Sequence, residues 1–460
     1  MPAAPVSTAT RPSPRPPWPD VREPGRERGR ERESGRRRWA GGVRAVPRWL
    51  AGRLDATDRF VLQVYLGTRV GLFVTGYCVG WLFPANSRAK EAPGPLSVWE
   101  QWDWTHFRHI AEYGYFGPAP GYADGLENEE AFFPGFPLVL RAVRLVVPDW
   151  VAAGLLISLV SGAVAMLALA RVARLAVTGA GMGPGRGKGK GKGAGRGAGA
   201  GVGTGAAVRL GGADAVARRA VLAVLLSPCA VFLAAGYSES LFLACALPAW
   251  LAARSGRWRL AATLAACATT ARVSGLFLAA ALLVDFLLAR DGRRDWRRLP
   301  WLTLPALPVL AYTLYLYDRT GDWMAWKHAQ ERGWYRTFHP PWEAWGNTWN
   351  AAFDGRYSTG YALMSQAELA AMVVGLALLG RLLWRGRWPE AVYIALNLWA
   401  LGTSYWYTSV PRATLLWWPL WTGLAAWSLR AEWRARVGLC VLAPLSTLFA
   451  VTFLSGRWTG

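Results

Sequence analysis

The sequence predicts an all-helical, polytopic transmembrane bundle with about eleven crossings. Hydrophobic residues make up 53% of the 460 residues, charged residues make up only 18%, and the apolar residues occur in runs of helical length. Short arginine-rich loops separate these runs in the alternating pattern that the positive-inside rule requires. The net charge of +23 lies in the N-terminal region, a Gly/Lys stretch and these loops. This distribution favours contact with anionic lipid on the cytoplasmic side over nucleic-acid binding.

Residues 1–57 precede the first apolar run and are rich in Pro, Arg, Glu and Gly. This composition predicts a disordered, basic tail that stays in the cytoplasm. The first apolar run, residues 59–83, is long enough to remain as a signal-anchor helix, so we expect no cleaved signal peptide. Residues 58–177 then hold this helix, a long outer loop and a second crossing. The five cysteines lie in or beside apolar runs without paired spacing and are interpreted as small buried apolar residues.

Residues 178–217 are rich in Gly, with alternating Gly and Lys, and predict a flexible cytoplasmic linker. The rest of the bundle, residues 218–460, contains a large outer loop at 318–360 and further apolar runs. Two of these runs flank Arg272 and are short, so they are also compatible with a re-entrant hairpin. The further runs are 218–236, 239–253, 259–271, 273–289, 299–317, 361–384, 389–408, 413–429 and 437–455.

The first outer loop, residues 84–130, is acidic, as is typical of the far side of the membrane. The segment after it, which contains Arg141 and Arg144, is interpreted as a helix that lies in the outer interface and does not cross. Most candidate functional residues therefore collect on the outer side.

The stretch from Trp102 to Tyr115 in this loop predicts a site, because acids and histidines stand beside aromatic residues just outside the membrane. A helix would place Asp103 and His106 on one face, with His109 and Glu112 continuing around its side. Asp103 is suited to remove a proton from an attacking hydroxyl. Two other interpretations stay open: an interfacial helix with aromatic anchors, and a divalent metal held by the two histidines and an acid. The metal is not favoured, and we expect no cofactor.

Three further charged residues stand at the outer ends of apolar runs. Glu239 predicts either a sugar contact or the cap of a helix N-terminus. Arg272 and Arg412 are suited to hold the phosphate of a lipid carrier, or alternatively to reach the outer headgroups. Lys327 and His328 in the second outer loop could serve the same phosphate.

Four segments carry a resemblance to a known family. The run from Trp102 to Tyr115, with Glu130-Ala131-Phe132-Phe133-Pro134-Gly135-Phe136-Pro137 after it, resembles the first luminal loop of the PIG-V family. Ser227-Pro228 with Tyr237-Ser238-Glu239-Ser240 resembles the family's asparagine-proline and Tyr-Ser-Glu-Ser segment. Ala271-Arg272-Val273-Ser274-Gly275 resembles its Arg-x-Asn-Gly turn, with Ser274 where Asn is usual. Val410-Pro411-Arg412 with Trp417-Trp418-Pro419 is similar to its last outside loop. The motifs keep their order over residues 59–455.

The family adds the second mannose in GPI-anchor assembly and has bacterial relatives, and the Arg, Ala and Gly bias of this chain is typical of a bacterial source. The resemblance implies a GT-C glycosyltransferase of the cell membrane that takes a hexose, mannose by analogy, from a polyprenyl phosphate. It implies inversion at the anomeric carbon, an extracytoplasmic active site, and a glycolipid or glycan acceptor. Asp103 would be the base, and Arg412 and Arg272 would hold the donor phosphate. His106, His109, Glu112, Glu130 and Glu239 would shape the sugar site.

Two other classes remain open. A transporter or flippase of lipid-linked sugars would also need charged residues facing an internal cavity, but it requires midplane sites and repeat symmetry. A catalytically inactive assembly scaffold is compatible with the same sequence.

Overall fold

The computed structural model describes residues 54–83, 96–118, 127–179, 201–289 and 294–459, and only the backbone for 178–179 and 201–210. The predicted N-terminal tail up to residue 53 and the linker residues 180–200 lie outside this range. Every regular element in the described residues is helical, as the apolar periodicity predicts. The α-helices are α1 Ala56–Leu82, α2 Asp103–Tyr113, α3 Gly135–Arg144, α4 Trp150–Gly179, α5 Gly201–Leu225, α6 Ser238–Arg254, α7 Trp258–Ala271, α8 Ser274–Leu287, α9 Leu307–Thr320, α10 Ala325–Trp334, α11 Pro341–Phe353, α12 Thr359–Trp384, α13 Trp388–Gly402, α14 Val410–Ala413, α15 Trp418–Ser428 and α16 Glu432–Leu454.

Short 3₁₀ segments connect several of these helices, among them Glu129–Ala131 before α3 and Ala230–Leu233 before α6. A longer one, Trp296–Ala306, contains Pro300 and Pro305 and leads directly into α9. Proline lacks the N–H that a continuous α-helix needs, so this apolar run is divided into two helical forms.

Four helical stretches in the described residues are long and apolar enough to cross a membrane. They are Trp150–Val177, Trp296–Thr320, Thr359–Trp384 and Glu432–Leu454. The protein is therefore a helical protein with several candidate membrane spans, and the crossing count of about eleven is not confirmed. Helix α3 has 10 residues, which is too short to cross, in agreement with the interfacial interpretation.

The structure corrects the predicted end of the linker, whereas the two short helices around Arg272 stay compatible with the prediction. Residues 201–217, which the sequence places in the flexible linker, belong to α5, where alanines and apolar residues follow the first glycines and favour a helix. Helices α7 and α8 have 14 residues each and are separated by Arg272 and Val273 alone. At a rise of about 1.5 Å per residue each is shorter than the hydrocarbon core, so the re-entrant hairpin stays compatible with the fold.

The core around α4 and α6 positions the first outer loop. Helix α6 packs against both α4 and α7. Trp104, the second residue of α2, is 1% exposed and its indole lies against Gly154 of α4 and Gly236 before α6. A Cβ at either glycine would collide with this indole, so the glycines allow the close approach. This packing fixes the start of α2, and with it the preceding backbone at Asp103.

Candidate active site

A cavity of about 700 Å³ lies where the predicted outer segments meet. Helix α2, the break between α7 and α8, helix α10 and the segment before α15 all contribute to its wall. The sequence places these segments on one side of the membrane, and the structure brings them together. Of the predicted site residues, Asp103, His106, Arg272, Lys327 and Arg412 line the cavity.

Asp103 is the first residue of α2 and its carboxylate faces the cavity. Its Oδ2 accepts a hydrogen bond from Nη1 of Arg412 at 2.6 Å. Burial raises the pKa of Asp103, but the charge and hydrogen bond of Arg412, together with the charges of His106 and Arg272, outweigh it and hold the pKa below its usual value. Asp103 is therefore a carboxylate at neutral pH, which is the form that a general base requires.

Arg412 lies between two acids. Its Nη1 reaches Asp103, its Nε donates to Oε1 of Glu239, and the guanidinium lies over the rings of Phe232 and Tyr237 at 4.7 and 4.8 Å. Burial alone would lower the pKa of Arg412, but the two carboxylates raise it above the ordinary value. Arg412 is thus a buried, doubly paired cation and does not extend to a lipid headgroup.

Glu239 connects the two arginines. It is fully buried, and its Oε1 accepts a hydrogen bond from Arg412 and a second from Nη1 of Arg272 at 2.6 Å. Arg272 also donates to Oγ of Ser238 at 2.9 Å. The capping interpretation of Glu239 does not match this geometry, because no side-chain capping bond is present at the start of α6. Its contact with a sugar would be indirect, since its carboxylate lies behind the wall of the cavity.

Glu368 is a site residue that we did not single out in the sequence. It lies in α12 and is 1% exposed. Its two oxygens accept hydrogen bonds from the backbone N–H groups of Ser409 and Val410, both at 2.8 Å. These are the N–H groups at the start of α14, which carries Arg412, so Glu368 fixes the segment that holds this arginine. A carboxylate inside a membrane span is the signal that could have identified it.

The two histidines of α2 lie beside Glu129, an acid that was not among the predicted site residues. Nδ1 of His109 lies 3.4 Å from Oε1 of Glu129, and Nδ1 of His106 lies 3.8 Å from the same oxygen. His106 stacks on Phe132 in the cavity wall with ring centroids 4.7 Å apart. His109 is buried and does not line the cavity. In the parts of the chain that the structure describes, no group of three or more His, Cys, Asp or Glu residues has the arrangement of a metal site.

Glu112 and Glu130 do not line the cavity. Glu112 accepts a hydrogen bond from Nε of Arg108 at 3.4 Å, one turn back on the same helix. Glu130 contributes its backbone oxygen to the hydroxyl of Tyr312 at 2.9 Å. The acid that lies beside the two histidines is Glu129, which is not among the site residues predicted from the sequence.

The second outer loop places one expected cation and one unexpected cation at the cavity. Lys327 lines it but is paired with Glu331 at 2.6 Å. His328 is instead paired with Asp322 at 2.6 Å and does not line the cavity. Arg336 lines the cavity too, although nothing in the charged run before it distinguished this arginine from a solvent-exposed residue.

Comparisons with known proteins give one partial similarity. No family model matches the chain. The chain is similar to GPI alpha-1,6-mannosyltransferase 2 of Mus musculus, with 31% identity over 247 residues. These residues are 49% of this chain and 42% of the relative, so the match spans less than half the length of that protein. No solved structure matches. The similarity supports a mannosyltransferase relationship.

The cavity combines the groups that a group transfer from a phosphate needs. Its ionised carboxylate can accept a proton, its guanidinium groups can stabilise a phosphate, and the rings of Phe132 and Trp334 can pack against a sugar. Asp103 and Arg272 both line the cavity, and a chain of ion pairs through Arg412 and Glu239 connects them.

Proposed function

We propose that this protein is a membrane glycosyltransferase that moves a hexose, namely mannose, from a polyprenyl phosphate to a hydroxyl of a glycolipid or glycan. The observation that carries the proposal is the chain Asp103–Arg412–Glu239–Arg272 at the wall of one cavity. The partial similarity to a mouse mannosyltransferase supports the sugar and the reaction type.

In the proposed reaction, the acceptor hydroxyl attacks the anomeric carbon of the sugar from the face opposite the phosphate. The bond between this carbon and the phosphate oxygen breaks, and the electron pair leaves with the polyprenyl phosphate. Asp103 takes the hydroxyl proton, and the anomeric configuration inverts. No resident cofactor takes part in this proposal; guanidinium groups stabilise the leaving phosphate.

The pair of Asp103 with Arg412 makes the base responsive to substrate. While Arg412 holds the carboxylate at 2.6 Å, the pKa of Asp103 stays low and the carboxylate is a weak base. An anionic phosphate in the cavity competes for Arg412. Because burial by itself raises the pKa of Asp103, loss of this partner makes the carboxylate a stronger base when the donor is present.

The proposal places the cavity at the extracytoplasmic face of the cell membrane, with the N-terminus in the cytoplasm. The support is the distribution of arginines along the sequence, because loops with several arginines alternate with the segments that build the cavity. A lipid-linked donor allows the reaction to run on the side where nucleotide sugars are absent.

The test uses membranes that contain the intact protein or Asp103→Asn, supplied with radiolabelled polyprenyl-phosphate mannose and a native lipid extract. The intact protein should transfer label to a new product, and the variant should be slower by about 10²- to 10⁴-fold, the usual contribution of a general base. Asp318→Asn is the matched control, because Asp318 is exposed and does not line the cavity.

Three results would contradict the proposal. Equal transfer by Asp103→Asn and the intact protein would remove the base from the mechanism. Label that changes leaflet but stays on the carrier would identify a flippase. Unchanged mannosylation of the native acceptor in cells that lack the chain would favour the scaffold.

A further inference from the structure

Among the residues that the structure describes, four Lys or Arg side chains line the cavity, and three of them have a carboxylate partner. Arg272 is paired with Glu239, Arg412 with Glu239 and Asp103, and Lys327 with Glu331. The fourth is Arg336, whose Nε is buried and makes no hydrogen bond within the described part of the chain. A buried, charged donor without an acceptor is costly, so its presence in a cavity indicates a missing partner.

Backbone hydrogen bonds fix Arg336 and the residue before it. The residue before it, Tyr335, has φ of 53°, the left-handed conformation that a side chain rarely adopts. The N–H of Arg336 donates to the carbonyl of Gln330 at 3.3 Å, and the N–H of Tyr405 donates to the carbonyl of Tyr335 at 3.2 Å. The turn that ends α10 is therefore bonded both to α10 itself and to the segment at Tyr405, and a constrained backbone presents Arg336 to the cavity.

The charges around Arg336 do not neutralise it. Burial and the charges of Arg272 and Arg412 lower the pKa of Arg336, while Glu368 and Asp103 act in the opposite direction. Glu368 uses its two oxygens for the backbone N–H groups before and at the start of α14, and Asp103 is paired with Arg412. A guanidinium nevertheless keeps its proton at neutral pH. The cavity thus holds one cation for which it supplies no bound anion.

We propose that Arg336 binds the phosphate group of the polyprenyl-phosphate substrate, with Arg272 as the second cation. This inference rests on the proposed function for the identity of the lipid. Arg412, which is paired with two acids, holds Asp103 until the donor arrives and is not the main ligand of the phosphate. The planar guanidinium of Arg336 is suited to two oxygens of a phosphate.

The charge of this phosphate changes during the reaction. The sugar-loaded carrier is a phosphodiester with one negative charge, whereas the released carrier is a phosphomonoester with a charge of about −1.5 to −2 at neutral pH. Arg336 therefore interacts more strongly with the leaving group than with the bound donor. An interaction that strengthens as the bond breaks lowers the barrier.

The first measurement is the affinity of purified, full-length protein in nanodiscs for polyprenyl phosphate, measured by tryptophan fluorescence. The change is Arg336→Gln, with Arg336→Lys as a variant that keeps the charge but loses the planar fork. Arg332→Gln is the matched control, because Arg332 lies one turn earlier, is exposed, and does not line the cavity. We expect Arg336→Gln to weaken binding by about 10- to 100-fold, Arg336→Lys by less, and Arg332→Gln by less than about 2-fold.

Separate arms identify the source of the anion. Uncharged polyprenol should bind the intact protein and Arg336→Gln equally, and replacement of neutral by anionic phospholipid in the nanodisc should leave the difference unchanged. Equal affinity of the intact protein and Arg336→Gln for polyprenyl phosphate would overturn the inference. An effect that disappears in anionic nanodiscs would overturn it too, because a bulk headgroup would then be the ligand.

The results distinguish a failure of this inference from a failure of the transferase proposal. An intact protein that binds polyprenyl phosphate through Arg336 but transfers no mannose would refute the transferase and retain the anion site. If the intact protein and Arg336→Gln both transfer mannose with the same KM for the donor, the transferase proposal is retained and the anion site is refuted. If Arg336→Gln does not fold, Arg336→Lys alone decides: unchanged affinity overturns the inference, and an affinity at least about 3-fold weaker supports it.

Discussion

Removal of Arg412 should change the pH at which the protein loses the proposed transferase activity. In the intact protein, Arg412 holds the pKa of Asp103 below its usual value against burial, so the base stays ionised at neutral pH. A guanidinium beside a carboxylate stabilises the ionised form of the carboxylate and so lowers its pKa. Arg412→Gln removes this effect and leaves the burial, so the acid limb of kcat/KM against pH should move to higher pH.

The same pair contributes to stability with a defined sign. Because the folded-state pKa of Asp103 is depressed, its contribution is present above the pKa of the unfolded chain and is lost as the pH falls through the folded-state pKa. Arg412→Gln should lower stability at neutral pH by about 3 to 5 kcal/mol, since Asp103 and Glu239 both lose a buried partner. Arg412→Lys keeps the charge and should shift the limb by less. An acid limb that does not move in Arg412→Gln would refute the assignment of Asp103 as the base that Arg412 controls.

Two further substitutions test what positions the site. Glu368→Gln keeps one acceptor oxygen for the two N–H groups at the start of α14, so we expect a loss of about 1 to 3 kcal/mol of stability and a lower kcat; a change in KM alone would contradict the positioning role. Gly154→Ala places a methyl group against the indole of Trp104 and should cost about 1 to 3 kcal/mol in denaturant unfolding. Its matched control is Gly346→Ala in α11, where the new methyl group meets open space and should stabilise by about 0.4 to 1 kcal/mol. Equal midpoints for these two alanine variants would show that Trp104 is not closely packed.

The helices could be predicted because the length and apolar content of each segment are enough to indicate a helix. The runs at 361–384 and 437–455 agree closely with α12 and α16, since length and apolar content are enough to define such helices. The boundary of the linker could not be predicted. Glycines at its end suggested an unfolded chain, whereas the alanine-rich residues that follow continue into α5. Local composition does not show where an alanine-rich sequence begins to form a helix.

The site could be predicted only as a set of residues on one side. The position of Asp103 just after the first apolar run predicts a place beside the membrane interface. The positions of Arg272 and Arg412 at the ends of later runs predict the same for them. Their pairing depends on contacts between residues far apart in sequence, such as Asp103 with Arg412, and no pattern in one sequence encodes that. Arg336 shows the same limit, because its neighbours along the chain make it resemble any other loop arginine.

Backbone conformation links the fold to the charges of the cavity. Four non-glycine residues in the described ranges have positive φ: Trp102, Asn128, Tyr335 and Ser409. The first three each directly precede Asp103, Glu129 or Arg336, and the fourth directly precedes the short helix that carries Arg412. Each such residue costs about 1 to 3 kcal/mol and persists only where the surrounding structure compensates. Trp104 between its two glycines and Glu368 beneath α14 provide this compensation at two of the four places. The strained residues therefore lie next to charged residues that the surrounding structure holds at fixed positions.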